Sequence, residues 1–293
     1  MLMKVAKLAD KTLLVKLTIR RASLTRRDDT VTHAIQQQYG DQSLTAVTKL
    51  FRDKRSPIYS IMQSVSEVYQ YHKEHTLPYV DAGPRILPVD SYFEYTQEMR
   101  NRISTVDALL QKWMPHYDQL VQDDILYRNG GQPTGRAAKG DYPSESEFRQ
   151  RMSFDLRFQP MPDAKHFLFD LSDEDEKAFE RSMDEAAALA RNDTINRMME
   201  PLQHLVNKLS VPIKGEGGVF RDSAVENILE GCRMARKLAI DPPAELTARI
   251  DELEQLAKNF AFNPSALRER PEAREAARDK LKAIADSMGA MYG

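Results

Sequence analysis

The residues best suited to chemistry are cations. Lys16, Arg20, Arg21, Arg26 and Arg27 fall close together near the start of the chain, and guanidinium forks of this kind match phosphate oxygens in shape and charge. Tyr39, Phe51 and Tyr59 follow within the next stretch and offer rings on which bases could stack, although their helical spacing suits core packing better. Asp28 and Asp29 stand beside Arg26 and Arg27 and weaken the field. The competing expectation is that these cations pair internally with the acids of the 173–185 segment.

Other constellations fall short of a mechanism. His72-Lys-Glu-His75 places its imidazoles three apart, whereas the zinc helix HExxH needs them four apart with the glutamate beside the first. Asp81 would be the third ligand after the turn, but the expectation is a pair of solvated imidazoles at a helix end. His33, His116, His166 and His204 stand alone. Gly130 to Ala137 keeps the two-glycine spacing of a phosphate loop, yet has Arg136 where lysine is needed and Ala137 where the magnesium hydroxyl belongs. Cys232 shares a helical face with Ile228 and Leu229, where a thiol acts as a small hydrophobe and its burial raises the pKa. The run Asp173 to Glu176 follows Ser172 and reads as the capped, acidic start of a helix rather than a metal cluster. The sequence therefore predicts no catalytic residues, no metal and no cofactor, hence no enzyme.

These residues must be positioned by elements that periodicity outlines. Leu13, Val15, Leu17 and Ile19 alternate with polar neighbours, predicting a strand over 12–20, and Phe154, Leu156 and Phe158 predict its partner over 154–160. Phe167 to Leu171 reads as a further strand. Helices are expected near 30–38 and 43–52, and from Ser56-Pro57 to His75. Asp81-Ala-Gly83 between two short apolar runs predicts a hairpin over 76–88, held to a sheet edge by Pro78 and Pro88. A long seam of coiled-coil spacing begins at Asp90 and should kink at Pro115; a second begins at Ser172 and should be interrupted by Pro201. Their similar lengths suggest an antiparallel hairpin. Between them, residues 127–142 hold four of the twelve glycines and few apolar side chains, the composition of a flexible loop.

The expected fold is therefore α+β and mainly α: a small antiparallel sheet, a long antiparallel helical hairpin and a C-terminal helical bundle. The segments are 1–89 (basic strand and helix region with the hairpin), 90–212 (long helices) and 220–293 (bundle). Seams of this kind bury one face only, so self-association is expected.

Composition bounds the class. The 293 residues carry 42 Lys plus Arg against 44 Asp plus Glu, with 41% apolar residues, values of a globular chain. The near-neutral total conceals a bias: residues 1–55 hold twelve cations and five acids, leaving an acidic remainder. One cysteine excludes a disulfide scaffold and fits a reducing compartment. No apolar run reaches the roughly 20 residues of a membrane span, and MLMKVAKLADK lacks a signal peptide's core. The expected location is the cytoplasm.

Three blocks, HTLPYVDAGPRILPVDSYFEYTQEMR, DYPSESEFRQRMSFDLRFQPMPDA and FRDSAVENILE at 220–230, together resemble a group of bacteriophage and prophage proteins known only as a domain of unknown function. The likeness spans nearly the whole chain, from the Leu13 strand to Met291. Relatives of that group are sometimes encoded beside MoxR-type AAA+ ATPases and von Willebrand factor A proteins. No catalytic motif comes with the resemblance, so it carries over no residue roles. It implies a phage-encoded protein in the host cytoplasm. Long seams without catalytic groups then point to an interaction or adaptor protein with a phage or host partner, and the basic tract to nucleic-acid binding in replication or recombination as the alternative.

Overall fold

A computed structural model describes residues 8–80, 82–162, 172–211, 223–262 and 264–292. In chain order the elements are β1 (Thr12–Arg20), β2 (Thr25–Arg27), α1 (Asp29–Tyr39), β3 (Val47–Lys49), α2 (Pro57–Glu74), β4 (Leu77–Pro78), β5 (Pro84–Pro88), α3 (Tyr92–Trp113), α4 (Tyr117–Arg128), α5 (Glu145–Gln150), β6 (Ser153–Pro160), α6 (Asp173–Ser210), α7 (Ser223–Leu238), α8 (Ala244–Phe262), α9 (Pro264–Glu269) and α10 (Pro271–Tyr292). This is the mainly helical α+β class that the periodicities predict. An antiparallel four-stranded sheet has the order β4-β5-β1-β6. The chain forms two compact units: Met1–Lys16, Glu74–Phe93 and Phe158–Gly293 make the first, Leu17–Lys73 and Glu94–Arg157 the second. This division cuts across the contiguous segments outlined by the sequence.

In the first unit, β1 pairs antiparallel with β5, Thr12 opposite Pro88 and Lys16 opposite Pro84, and β4 pairs with β5 through Leu77 and Ile86. Of the two hairpin strands, β4, with Pro78, lies at a sheet edge, whereas β5 is interior, contrary to expectation. It tolerates its prolines because both stand at strand ends, where a missing N–H interrupts no inner rung. Met183 and Ala190 of α6 pack with Leu14, Leu77 and Ile86 of the sheet and with Met234 and Leu238 of α7. Farther along α6, Met198, Leu202, Leu205 and Leu209 join Ile228 and Cys232 of α7, Leu253 of α8 and Leu281 of α10 in a larger cluster.

Two expectations for α6 are revised. The helix runs unbroken through Pro201 for 38 residues, because the buried stripe on either side continues in phase and offsets the lost hydrogen bond. Its helical neighbours are α7 and α10, whereas α3, the expected hairpin partner, belongs to the second unit. Close approach marks the pairing with α7: a Cβ on Gly231 would lie 3.2 Å from the Arg197 carbonyl oxygen, so any side chain there would need the α6 backbone to give by a few tenths of an ångström. At the end of α6, buried Arg274 donates to the carbonyls of Lys208 and Leu209 and supplies the acceptors' missing partners. The residues 167–171 predicted as a strand lie outside the described residues.

In the second unit, residues 43–52 are not a helix. Val47–Lys49 pair antiparallel with Thr25–Arg27. The remaining backbone groups find tertiary partners: the Ala46 N–H donates to Thr32 Oγ1, and the amide of buried Gln36 donates to the carbonyls of Gln42 and Leu44. These side-chain acceptors and donors replace the internal ladder that a weak helical pattern would have needed. Asp28 caps α1 by accepting from the Val31 N–H, and its second oxygen accepts from Thr48 and Arg136. The Val31 bond foremost holds its carboxyl below the usual range.

Candidate functional site

The first unit holds a cleft of about 590 Å³. Its floor is the stretch of α6 where the apolar stripe shrinks to Ala187, Ala188 and Ala190, and its inner wall is formed by Met183, Leu238 and Leu246. The opposite rim is the turn between α7 and α8, where Asp241 has φ +51° and Pro242 and Pro243 follow. Lys11 pairs with Asp241 at 3.1 Å. Asp184 and Arg191 stand on α6 beside the alanines and carry no ion pair among the described residues. The volume lies in the range of ligand and peptide pockets, and the lining has an apolar body with a charged margin. Sequence reasoning missed it. The available signal was an alanine run inside a stripe otherwise built of large residues, followed by the Asp-Pro-Pro turn.

The cations proposed for phosphate contact separate into two sets. Lys16, in the first unit, is exposed on β1; Arg20 and Arg21, in the second, are exposed, and none of the three has an ion pair among the described residues. Arg26 instead donates to Asp141 at 2.6 Å and to the Gly140 carbonyl at 2.7 Å, and Arg27 pairs with Asp29 at 3.0 Å. The acids they meet are thus local or on the 127–142 loop, not those of the 173–185 segment. Of the aromatic candidates, Phe51 is 2% exposed and part of the core, while Tyr39 at 68% and Tyr59 at 39% present ring surface to solvent.

Arg26 introduces the main correction in the second unit. Residues 127–142, expected to be flexible, are fastened by polar groups that composition does not reveal. Asn129 clamps Ala137 from both sides, accepting from its N–H at 3.0 Å and donating to its carbonyl at 3.2 Å. Gly135 makes room, since a Cβ there would fall 2.5 Å from Asn129 Oδ1. Arg128 donates to Asp141 at 3.2 Å and to the Tyr142 hydroxyl at 2.9 Å, and Arg136 reaches Asp28. Beneath them Asp124, 4% exposed, accepts on Oδ2 from the Tyr142 hydroxyl at 2.6 Å and the Phe51 N–H at 2.8 Å. Phe51 has φ +51°, a strained value for an aromatic residue, and its ring lies 5.2 Å from that of Tyr142. This arrangement tethers the loop.

The remaining candidates fall into structural roles. His72 is buried rather than solvated, with Nδ1 2.6 Å from the Tyr95 hydroxyl, because its helix position faces the core. Asp81 and His166 lie outside the described residues. His33, His116 and His204 are exposed. Cys232 is fully buried, and burial foremost pushes its thiol pKa up to about 11, which removes the thiolate at neutral pH. Ser172 accepts from the Asp175 N–H, so the acidic run serves the α6 start. Among the described residues, no three His, Cys, Asp or Glu side chains converge as metal ligands, and no helix is long and apolar enough to cross a membrane. No protein family matches the chain, and no curated protein or solved structure shows significant similarity to it.

Proposed function

We propose that this chain is a non-enzymatic phage-encoded adaptor, acting in the host cytoplasm, that holds a protein partner in the cleft of its first unit. The observation that carries the reading is the cleft itself: an apolar concavity with a charged margin, where Met183 and Ala190, which also pack in the core, meet the exposed Ala188 and the charged Asp184 and Arg191. The resemblance stated above favours an assembly component or the partner of a AAA+ ATPase. Affinity capture from infected cells, with and without nuclease, tests it. A partner that survives nuclease and is lost on Ala188→Trp supports the adaptor; the exposed Ala188 position admits the ring without disturbing the core. Capture indifferent to that substitution rejects docking at this cleft.

A second reading, nucleic-acid binding, is favoured by one observation: Lys16, Arg20 and Arg21 are exposed without an ion pair among the described residues. Its test is the salt dependence of DNA binding, with a log–log slope of about −0.7 to −0.9 per contacted phosphate. Replacing Arg20 or Arg21 by alanine should make the slope shallower by about one contact. No salt-sensitive binding rejects it.

A further inference from the structure

We infer that the cleft of the first unit takes an amphipathic α-helix of a protein partner, one that carries an acid and a base seven residues apart beside its apolar face. The inference rests on the docking reading above and names its partner.

Backbone chemistry favours a helix over an extended strand. One side of the cleft is α6, whose N–H and C=O groups are bonded within the helix. The other rim is the turn at Asp241, where Pro242 and Pro243 have no N–H to donate. Leu77 of the edge strand β4 also lines the cleft, but β4 is two residues long and its Pro78 has no N–H, so an extended segment would find few backbone partners along the cleft, which costs free energy for every unpaired group. A helix satisfies its own backbone and presents only side chains.

Dimensions agree. The floor runs from Met183 to Thr194, which at about 1.5 Å per residue is roughly three helical turns. Half-buried Ala187 and exposed Ala188 along it let a second helix axis come within about 8–10 Å, the spacing of packed helices. Alanines alone would not specify a ligand; the charges beside them narrow the choice. Asp184 and Arg191 are seven residues apart on one face of α6, about 10 Å along the axis. Neither has an ion pair among the described residues, whereas Asp241 at the other rim is met by Lys11. A partner helix with its own acid and base at the same spacing meets both charges at once, and a helix of uniform charge meets one and opposes the other.

The test uses the full chain and three synthetic 20-residue amphipathic helices built of Leu and Ala. One carries Glu then Lys seven residues later beside the apolar face, one carries them in reverse order, and one has Gln at both positions. Fluorescence anisotropy should find one charged order bound about 3–10-fold tighter than the other two, as two partly exposed pairs allow. The double reversal Asp184→Arg with Arg191→Asp should transfer that preference to the opposite order, and Ala188→Trp should abolish binding of all three. Equal affinity for the three peptides, no binding, or binding that survives Ala188→Trp overturns the inference. If the peptides fail while capture from cells still depends on Ala188, the adaptor reading stands and the helical partner falls; if both fail, both fall.

Discussion

Replacing Asp124 tests whether a single buried carboxylate holds the second unit's loop and its strained Phe51 together. Its Oδ2 accepts two hydrogen bonds, from the Phe51 N–H at 2.8 Å and the Tyr142 hydroxyl at 2.6 Å, while Oδ1 is buried without a partner among the described residues. Asp124→Ala leaves two buried donors without an acceptor, at about 1–3 kcal/mol each, so the expected loss is about 2–6 kcal/mol. Asp124→Asn keeps an oxygen for both donors but places a buried amide donor at the unpartnered Oδ1 position, where it would need an acceptor, and should cost about 1–3 kcal/mol. Tyr142→Phe removes one donor and the acceptor of Arg128, for about 1–2 kcal/mol. Combined with Asp124→Asn it should cost less than the sum, because the two share one bond. The single tryptophan, Trp113, lies in this unit, so urea unfolding followed by its fluorescence reads the relevant transition. The reasoning is refuted if Asp124→Ala lowers stability by less than about 1 kcal/mol at unchanged m-value, or if Ala and Asn cost the same.

Further outcomes follow from the same structure. Arg274→Met leaves the Lys208 and Leu209 carbonyls at the end of α6 without their donor and should cost about 1–3 kcal/mol; Arg274→Lys should not restore it, since one ammonium cannot span both, and thermal unfolding ranks the three proteins. Gly231→Val drives a side chain at the Arg197 carbonyl, and strain of about 1–3 kcal/mol should exceed the gain in helix propensity of about 0.5 kcal/mol, read as a lower urea midpoint. Burial foremost, with nearby carboxylates, raises the pKa of Tyr71 and of Tyr117 from 10.0 to about 12. Since the folded pKa is above the unfolded one, their contribution is complete below about pH 10 and is lost as pH rises toward 12, up to about 2–3 kcal/mol each. Urea midpoints for the second unit should be level from pH 8 to about 9.5 and fall beyond it, and a flat profile to pH 11 would contradict the assignment.

What the sequence made legible follows from how local each cause is. The strand at 12–20 and its partner at 154–160 show because alternation is a property of the segment itself. Ser172 and Pro115 likewise act within one turn of their own positions, so the start of α6 and the break between α3 and α4 are readable in place. Residues 43–52 failed because their hydrogen-bond partners, Thr32, Gln36 and the 25–27 strand, are distant in the chain. The 127–142 loop failed for the same reason: glycine content predicts freedom, but one asparagine clamp and three arginines supply order that no local composition encodes. The cleft was the least legible feature. It arises where four separated segments leave space, and the small size of Ala187, Ala188 and Ala190 together with the Asp241-Pro-Pro turn hinted at it.

Magnitudes rank the two functional readings. Of the five cations that suggested phosphate contact, Arg26 and Arg27 are engaged with Asp141 and Asp29, which leaves Lys16, Arg20 and Arg21. Three phosphate contacts give a salt slope of only about −2 to −3, so raising salt from about 50 to 200 mM removes roughly 20–60-fold of an affinity that is nonspecific to begin with. A basic excess that serves partly to fasten a loop is a weak basis for nucleic-acid recognition. Docking depends less on salt. An apolar side chain entering the cleft contributes about 1.5–3 kcal/mol when fully buried, and three or four along one helix face offset the cost of association more readily than three exposed cations do. On that reading the Asp184 and Arg191 charges add the modest affinity of two partly exposed pairs, small beside the apolar contribution, and act more on the choice of partner, because the reversed order is opposed at both positions. On the proposed reading, partner choice by the order of two charges requires no buried catalytic group, and arginines outside the cleft such as Arg26 serve to fasten the loop.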